Sequence, residues 1–121
     1  MYITFDGVNF TAKSILKTEF FNGNIPLKRD ITGTQLNKHR ISIDHTIPKS
    51  KGGKSVLYNY SLIDSVINNK RGSKPIQQYI DLESFIEYIR VMLNVKTEKF
   101  DGIEYLKQWL KTLQKAVKEN K

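Results

Sequence analysis

The chain has 121 residues, the usual size of one domain, and its 39% hydrophobic and 26% charged composition is typical of a globular protein. No stretch approaches the roughly 18 uninterrupted apolar residues of a membrane span, and the first eight residues lack the basic and then apolar pattern of a secretory signal. The absence of cysteine excludes disulfides, thiolate zinc sites and cysteine nucleophiles, so any metal must be bound by His, Asp, Glu or Asn. We therefore expect a single domain over residues 1–121 that acts in the cytoplasm and does not contact a membrane.

The formal net charge of +8 favours an anionic partner such as nucleic acid. Its distribution is uneven, because residues 38–74 contain eight basic side chains and only two acidic ones. Such a run is typical either of a solvated face or of a surface that binds phosphates. The candidate nucleic-acid contacts are Lys38, Arg40, Lys49, Lys51, Lys54, Lys70, Arg71 and Lys74.

The N-terminal third predicts a hairpin followed by a helix. Apolar and β-prone residues flank Asp6-Gly7 between residues 2 and 10, which is typical of a tight turn. Thr11 is a suitable cap for a helix that continues to Phe21. Residues 25–37 contain proline, glycine and several short polar residues, so we predict an irregular connection or a short strand there, without chemistry.

The central third predicts a strand, a loop, a second strand and a helix. Ile41 and Ile43 alternate with polar residues, which predicts a strand that ends at Asp44-His45. Residues 46–58 contain a proline, two adjacent glycines and three lysines, which favours an exposed loop. Residues 60–63 predict the return strand, and either Asp64 or Ser65 caps a helix that ends at Gly72 or before Pro75.

The last third predicts two amphipathic helices, at about residues 81–95 and 102–119, the first capped by Asp81. The predicted inward stripe of the first helix is Phe85, Ile86, Ile89 and Leu93. The apolar face of the second is Ile103, Leu106, Leu110, Leu113 and Val117, with Trp109 beside them. This second face either docks on the protein's own core or forms a weak homodimer, and a third interpretation is a surface helix that binds a membrane or a partner.

Residues 44–72 resemble the HNH endonuclease motif. Asp44-His45 ends a predicted strand, and a Pro-x-Ser-x-Gly-Gly loop follows at residues 48–53. Asn59 stands fifteen residues after Asp44, and Asn68 stands twenty-four residues after it and begins Asn-x-x-Arg-Gly. These spacings are similar to those of the HNH module of Cas9-type nucleases. The resemblance covers about 30 of the 121 residues, and the cysteine pairs that bind a structural zinc in many HNH proteins are absent.

The resemblance implies an α+β fold with a ββα-metal core at about residues 39–74. The N-terminal hairpin and helix and the two C-terminal helices would surround this core. It also implies that Asn59 does not react, but holds the loop and the histidine in place through hydrogen bonds. The helix that carries Asn68 would pack against both strands and bring Asn68 towards Asp44.

The chemistry of these residues agrees with phosphodiester hydrolysis. The imidazole of His45 is suited to take a proton from water, because its ordinary pKa of about 6.5 is close to neutral pH. The oxygens of Asp44 and Asn68 can bind one Mg²⁺, or Mn²⁺ or another divalent cation in its place, and leave positions for substrate and water. Adjacent residues of a strand point to opposite faces, so the metal ligand Asp44 is separated from the base His45. We expect an endonuclease that cleaves DNA, with RNA as an alternative substrate.

Several alternatives stay open at the level of sequence. Asn69 could take the place of Asn68, because the two adjacent asparagines leave the alignment ambiguous by one residue. His39 is either an ordinary surface residue or an aid to the metal or a phosphate. A second function is a basic nucleic-acid-binding module that has the HNH scaffold but no catalysis. The small size suggests an enzyme of a phage, a mobile element or a restriction system, by analogy with the fold alone.

Overall fold

The computed structural model describes residues 15–119, with side chains described up to Lys118. Residues 15–21 are helical and form the described part of helix α1, which ends before Gly23, a residue with a φ of 81°. This end agrees with the predicted helix up to Phe21. The predicted cap Thr11 and the predicted hairpin at residues 2–10 lie outside the described residues. Leu16 is fully buried, so α1 contributes to the core.

The centre of the chain forms two antiparallel strands and a helix. Strand β1 (Ile41–His45) pairs with β2 (Tyr60–Asp64), with Ile41 opposite Asp64 and His45 opposite Tyr60. Helix α2 (Ser65–Arg71) follows β2 directly and contacts both strands. All three elements lie where the alternating and turn-forming residues predict them. The two strands form the whole sheet in the described part of the chain.

The two faces of this sheet differ in character because successive side chains alternate between them. The core face contacts the hydrophobic core and consists of Ile41, Ile43, His45, Tyr60, Leu62 and Asp64. The α2 face consists of Ser42, Asp44, Ser61 and Ile63. Side chains of α2 bind Ser42 and Asp44, which identifies this face as the one that the helix covers.

The junction between β2 and α2 is held by the buried carboxylate of Asp64. Its Oδ2 accepts hydrogen bonds from the backbone N–H groups of Val66 and Ile67 and so caps α2, which decides between the two predicted caps. Arg40 binds both carboxylate oxygens at 3.0 Å. Burial raises the pKa of Asp64, but the hydrogen bonds from Arg40 and from the helix outweigh it, and the pKa lies below its ordinary value. The start of α2 is therefore fixed relative to β1.

Two longer helices complete the described chain. Helix α3 (Leu82–Leu93) and helix α4 (Gly102–Glu119) pack against each other and confirm the two predicted C-terminal helices. Asp81 caps α3 as predicted, because its carboxylate accepts a hydrogen bond of 3.1 Å from the backbone N–H of Ser84. No helix within residues 15–119 is long and apolar enough to span a membrane.

The predicted inward stripes of these helices are wrong in part. Ile86 and Leu93 of α3 are 45% and 49% exposed, and Ile103 of α4 is 49% exposed. In α3 the buried side differs from the predicted stripe, because the rings of Phe85 and Tyr88 pack against Trp109 of α4. In α4 the difference is confined to Ile103, since the other predicted residues are buried or pack against the core. The buried hydrophobic residues are Tyr88 and Met92 of α3 and Tyr105, Leu106, Trp109, Leu113 and Ala116 of α4.

Helix α4 docks on the core face of the sheet, as one of the two alternatives for its apolar face predicts. The indole of Trp109 is fully buried and donates a hydrogen bond of 3.0 Å to Thr46 Oγ1. The hydroxyl of Tyr105 donates to the carbonyl of Tyr60 at 2.6 Å. Both contacts lie at the end of the hairpin that carries His45. The result is an α+β fold with a two-stranded antiparallel sheet and four helices among the described residues.

Candidate active site

Asp44 and His45 occupy the last two positions of β1 and lie on opposite faces, as predicted. His45 is half-buried, and its ring lies edge-on to the ring of Tyr60 with a centroid distance of 5.0 Å. His45 Nε2 is 3.2 Å from Ser55 Oγ, in the loop between the strands. These contacts fix the orientation of the imidazole at the end of the hairpin.

The loop that follows His45 is held by the side chain of Asn59. Asn59 Oδ1 accepts a hydrogen bond of 2.8 Å from the backbone N–H of Ile47. Its Nδ2 donates to the carbonyls of Ile47 at 3.0 Å and Lys54 at 2.9 Å. Asn59 is buried, so these bonds are shielded from competing water. The predicted hydrogen bonds from Asn59 to the loop are therefore confirmed, while their importance for catalysis stays a prediction.

The two adjacent glycines of the loop meet different steric demands. Gly52 has a φ of 88°, a conformation that other residues rarely adopt. Gly53 packs against the loop backbone so closely that an added Cβ would lie 1.7 Å from the carbonyl oxygen of Ile47. The tight loop predicted from the two glycines is confirmed, and neither position accommodates a side chain without a shift of the backbone.

Asp44 forms a buried ion pair with Arg71. Arg71 Nη1 lies 2.5 Å from Asp44 Oδ2, and the two side chains are only 1% and 3% exposed. The same guanidinium donates to the carbonyls of His45, Thr46 and Lys74 at 2.8 to 3.0 Å. Burial raises the pKa of Asp44 to about 6, although Arg71 opposes the rise. The carboxyl is therefore ionised at neutral pH.

This position corrects the prediction that Arg71 contacts a phosphate. A guanidinium that is 1% exposed and bonded to one carboxylate and three carbonyls is not available to a nucleic-acid backbone. Arg71 instead fixes the Asp44 carboxylate and the chain on either side of His45. Arg71 is the basic residue that the HNH-like motif has at this position, but in this structure it binds groups inside the protein.

Asn68 and Asn69 have different positions on α2. Asn68 Nδ2 donates to Ser42 Oγ at 2.9 Å, two residues before Asp44 on the same face of β1. Asn69 is exposed. No hydrogen bond to Asn68 Oδ1 or to Asp44 Oδ1 is present within the described chain. The structure thus places Asn68, and not Asn69, against β1, where it contacts Ser42 and the carbonyl of Ile43.

Most of the other basic candidates lie on the surface. His39 and Arg40 are both exposed, but the guanidinium of Arg40 is paired with Asp64 and is not an unengaged phosphate contact. A hydrogen bond of 2.8 Å between Ser50 and Ser73 joins the loop to the turn after α2 and brings two groups of lysines to neighbouring segments. The exposed lysines among the candidates are Lys38, Lys49, Lys51, Lys54, Lys70 and Lys74.

The donor set at Asp44 suits a hard divalent cation. No group of three or more His, Asp or Glu side chains that could hold a metal is present in residues 15–119. Asp44 and Asn68 nevertheless each retain one oxygen without a hydrogen bond, and Mg²⁺ in proteins is often bound by one or two carboxylates together with substrate phosphates and water. The residues therefore fit such an ion. Two surface grooves beside α3 and residues 23–33 include neither of these residues in their lining.

The sequence analysis missed the groups that hold Thr46, the residue after His45. Thr46 is fully buried, and its N–H donates to the carbonyl of Asn59 at 2.8 Å, while its carbonyl accepts from Arg71 and its hydroxyl from Trp109. In the sequence, the only tryptophan and the arginine at position 71 could have indicated such contacts, but both are distant from Thr46 along the chain.

Comparisons of the chain with protein-family models, with curated proteins and with solved structures found no match.

Proposed function

We propose that this protein is a metal-dependent endonuclease of the HNH type, with a ββα-metal core, that hydrolyses phosphodiester bonds in DNA. The observation that carries the proposal is the placement of Asp44 and His45 as consecutive residues at the end of β1. They lie beside a loop held by Asn59 and on a strand that Asn68 of α2 contacts. These positions support the proposal, because they bring residues chosen by spacing alone to one strand and to the loop and helix beside it.

In the proposed reaction, the His45 imidazole takes a proton from the water that attacks the phosphorus. Its contacts with Tyr60 and Ser55 support this role, because they hold the ring in one orientation at the edge of the protein. Arg71 binds Asp44 Oδ2, and Oδ1 accepts no hydrogen bond from the described residues. Asp44 Oδ1 and Asn68 Oδ1 would hold one Mg²⁺ or Mn²⁺. When bound, such an ion supplies positive charge to the scissile phosphate and to the leaving 3′ oxygen.

The exposed lysines of the loop and of α2 would hold the phosphates on either side of the cut. Lys49, Lys51 and Lys54 belong to the loop after His45, and Lys70 and Lys74 belong to the end of α2 and the following turn. The Ser50–Ser73 hydrogen bond supports a shared role, because it joins these two segments. Contacts of this kind bind nucleic acid through charge and carry no sequence information.

One observation favours a second candidate function, a nucleic-acid-binding module without catalysis. The Asp44 carboxylate is 3% exposed and already paired with a cationic side chain. If Arg71 takes the place of a metal permanently, the lysines would still bind nucleic acid but nothing would be cleaved. The cleavage experiment separates the two functions.

The test is incubation of supercoiled plasmid with wild type and variants in Mg²⁺, Mn²⁺ and EDTA. We expect cleavage only with a divalent cation, and a fall of about 10²- to 10⁴-fold in His45→Ala, which is the usual contribution of a general base. Asn68→Ala should lose most of its activity. The matched controls His39→Ala and Asn69→Ala change exposed residues of the same type and should cleave like wild type.

Cleavage by the wild type in EDTA, or undiminished cleavage by His45→Ala, would contradict the mechanism. If no condition gives cleavage but a plasmid fragment is retarded on a gel, the binding module is the correct function. Repeating the assay with single-stranded and RNA substrates defines the substrate class.

A further inference from the structure

The hydroxyl of Ser61 is buried without a hydrogen-bond partner. Ser61 is 0% exposed, and no group of the described residues bonds its Oγ. Most buried hydroxyls in proteins are paired, because an unpaired one loses its water without compensation. The only other buried side-chain oxygen without a partner in residues 15–119 is Oε1 of Gln77. An alanine at position 61 would fill nearly the same space without this cost, so the hydroxyl calls for an explanation.

Ser61 lies directly opposite Asp44 in the antiparallel pairing. Thr46 and Asn59, two residues further along each strand, are joined by a backbone hydrogen bond, so Asp44 and Ser61 form a pair of the hydrogen-bonded type. The Cβ atoms of directly opposed residues lie about 4.5–5.5 Å apart on the same face. The hydroxyl therefore belongs to the α2 face, next to the carboxylate of Asp44.

Three oxygens on this side of the sheet lack a hydrogen bond from the described residues. They are Asp44 Oδ1, Asn68 Oδ1 and Ser61 Oγ. Four of the five N–H groups of Arg71 donate to Asp44 and to three backbone carbonyls, and none of its hydrogen bonds goes to Ser61. Neutral and anionic oxygens without donors are the groups that a hard cation binds.

We propose that Ser61 Oγ is a third protein ligand of the cation that Asp44 and Asn68 hold. This inference rests on the proposed function, since it adds a residue to the same site. The hydroxyl supplies a neutral oxygen, which allows the ion to keep open positions for a phosphate and for water. It also gives the hydroxyl the partner that the protein itself does not provide.

The test is calorimetric titration of the wild type and of Ser61→Ala with Mn²⁺, together with urea unfolding in EDTA. We expect Ser61→Ala to bind Mn²⁺ about 10-fold more weakly, the lower end of the effect of losing a group that supports a metal site. Its stability in EDTA should equal or exceed that of the wild type. Gln77→Met removes the other unpartnered oxygen and should leave Mn²⁺ affinity unchanged.

A second variant, Ser61→Cys, tests direct coordination. The chain has no cysteine, so the introduced thiol is the only one in the protein. Soft thiolate ligands prefer soft metal ions. We expect Ser61→Cys to bind Mn²⁺ more weakly than the wild type and Cd²⁺ more tightly.

The outcomes separate this inference from the proposed function. Equal Mn²⁺ affinity in Ser61→Ala and wild type, or no gain of Cd²⁺ affinity in Ser61→Cys, overturns the role of Ser61 and leaves the nuclease proposal standing. Failure of the wild type to bind Mn²⁺ overturns the role of Ser61, whereas the nuclease proposal is decided separately by plasmid cleavage in Mg²⁺ and in EDTA.

Discussion

The ten residues of the small sheet are divided between two faces that are stabilised in different ways. The core face packs Ile43, Tyr60 and Leu62 into the hydrophobic core, and α4 covers it through Trp109 and Tyr105. The α2 face carries a buried ion pair and an unpartnered hydroxyl. Burial of apolar area stabilises most of the first face without directional demands, whereas the buried polar groups of the second face need specific partners. The proposed metal ligands therefore lie on the face whose stability depends on specific polar partners, whereas the proposed base His45 lies at the end of the core face.

The largest expected effect comes from breaking the α2 face at its ion pair. Arg71→Met removes the counter-charge of a carboxylate that is 3% exposed, and the loss of one partner of a buried pair typically costs about 3–5 kcal/mol. Urea unfolding in EDTA measures this loss. The double variant Arg71→Met with Asp44→Asn should recover part of the stability, because no buried charge then remains.

The neighbouring Lys70→Ala is the matched control for Arg71. Lys70 is exposed, so its removal should change the free energy of unfolding by less than about 0.5 kcal/mol. It should weaken DNA binding and reduce the slope of log binding constant against log salt concentration by about one. If Arg71→Met is as stable as Lys70→Ala, the ion pair does not organise the α2 face.

We expect Asn59→Ala to reduce stability less than Arg71→Met does, and to reduce the rate of cleavage clearly. The substitution removes three side-chain hydrogen bonds to the loop and leaves buried backbone groups unpaired, which costs about 2 kcal/mol. A displaced loop moves Ser55 away from His45, and misplacement of a reacting group by about 1 Å costs about 10²-fold in rate. Plasmid cleavage at a temperature where the variant is folded measures the rate. Wild-type cleavage by Asn59→Ala would show that the loop does not position His45.

The smallest effect is expected from Tyr105→Phe on the core face. The substitution removes the hydrogen bond to the Tyr60 carbonyl and the contact with the Tyr88 hydroxyl, which contributes about 1 kcal/mol. Because Tyr105 lies on the side of the sheet away from Asp44, Mn²⁺ affinity should stay within about twofold of wild type. A 10-fold fall in Mn²⁺ affinity with intact stability would mean that the two faces are not independent.

The sequence predicts local features of this molecule well, because their causes are local. The alternation of Ile41 and Ile43 predicts β1, and short polar residues before apolar runs predict the caps Asp64 and Asp81. The positions of Asn59 and the two glycines predict a tight loop, since the hydrogen bonds of that asparagine reach only five to twelve residues along the chain.

Features that depend on packing between distant segments were not predictable in the same way. The charge of Arg71 predicts a surface phosphate contact, but its partner Asp44 lies 27 residues away and buries it. Ile86 and Leu93 satisfy helical spacing as well as Tyr88 and Met92 do, and only the position of α4 decides which set is buried. That the hydroxyl of Ser61 lacks a hydrogen-bond partner can be recognised only when the positions of all its neighbours are known.

The contacts of Thr46 limit how far the motif can be separated from the rest of the chain. Its three polar groups are satisfied from residues 59, 71 and 109, so the segment after His45 has a correct conformation only when α4 is present. A fragment that ends after Lys74 would contain every residue proposed for the chemistry, yet it would leave the buried Thr46 hydroxyl without its donor and the core face open to water. Grafting residues 39–74 onto another scaffold would therefore require an indole, or an equivalent donor, at the place that Trp109 occupies.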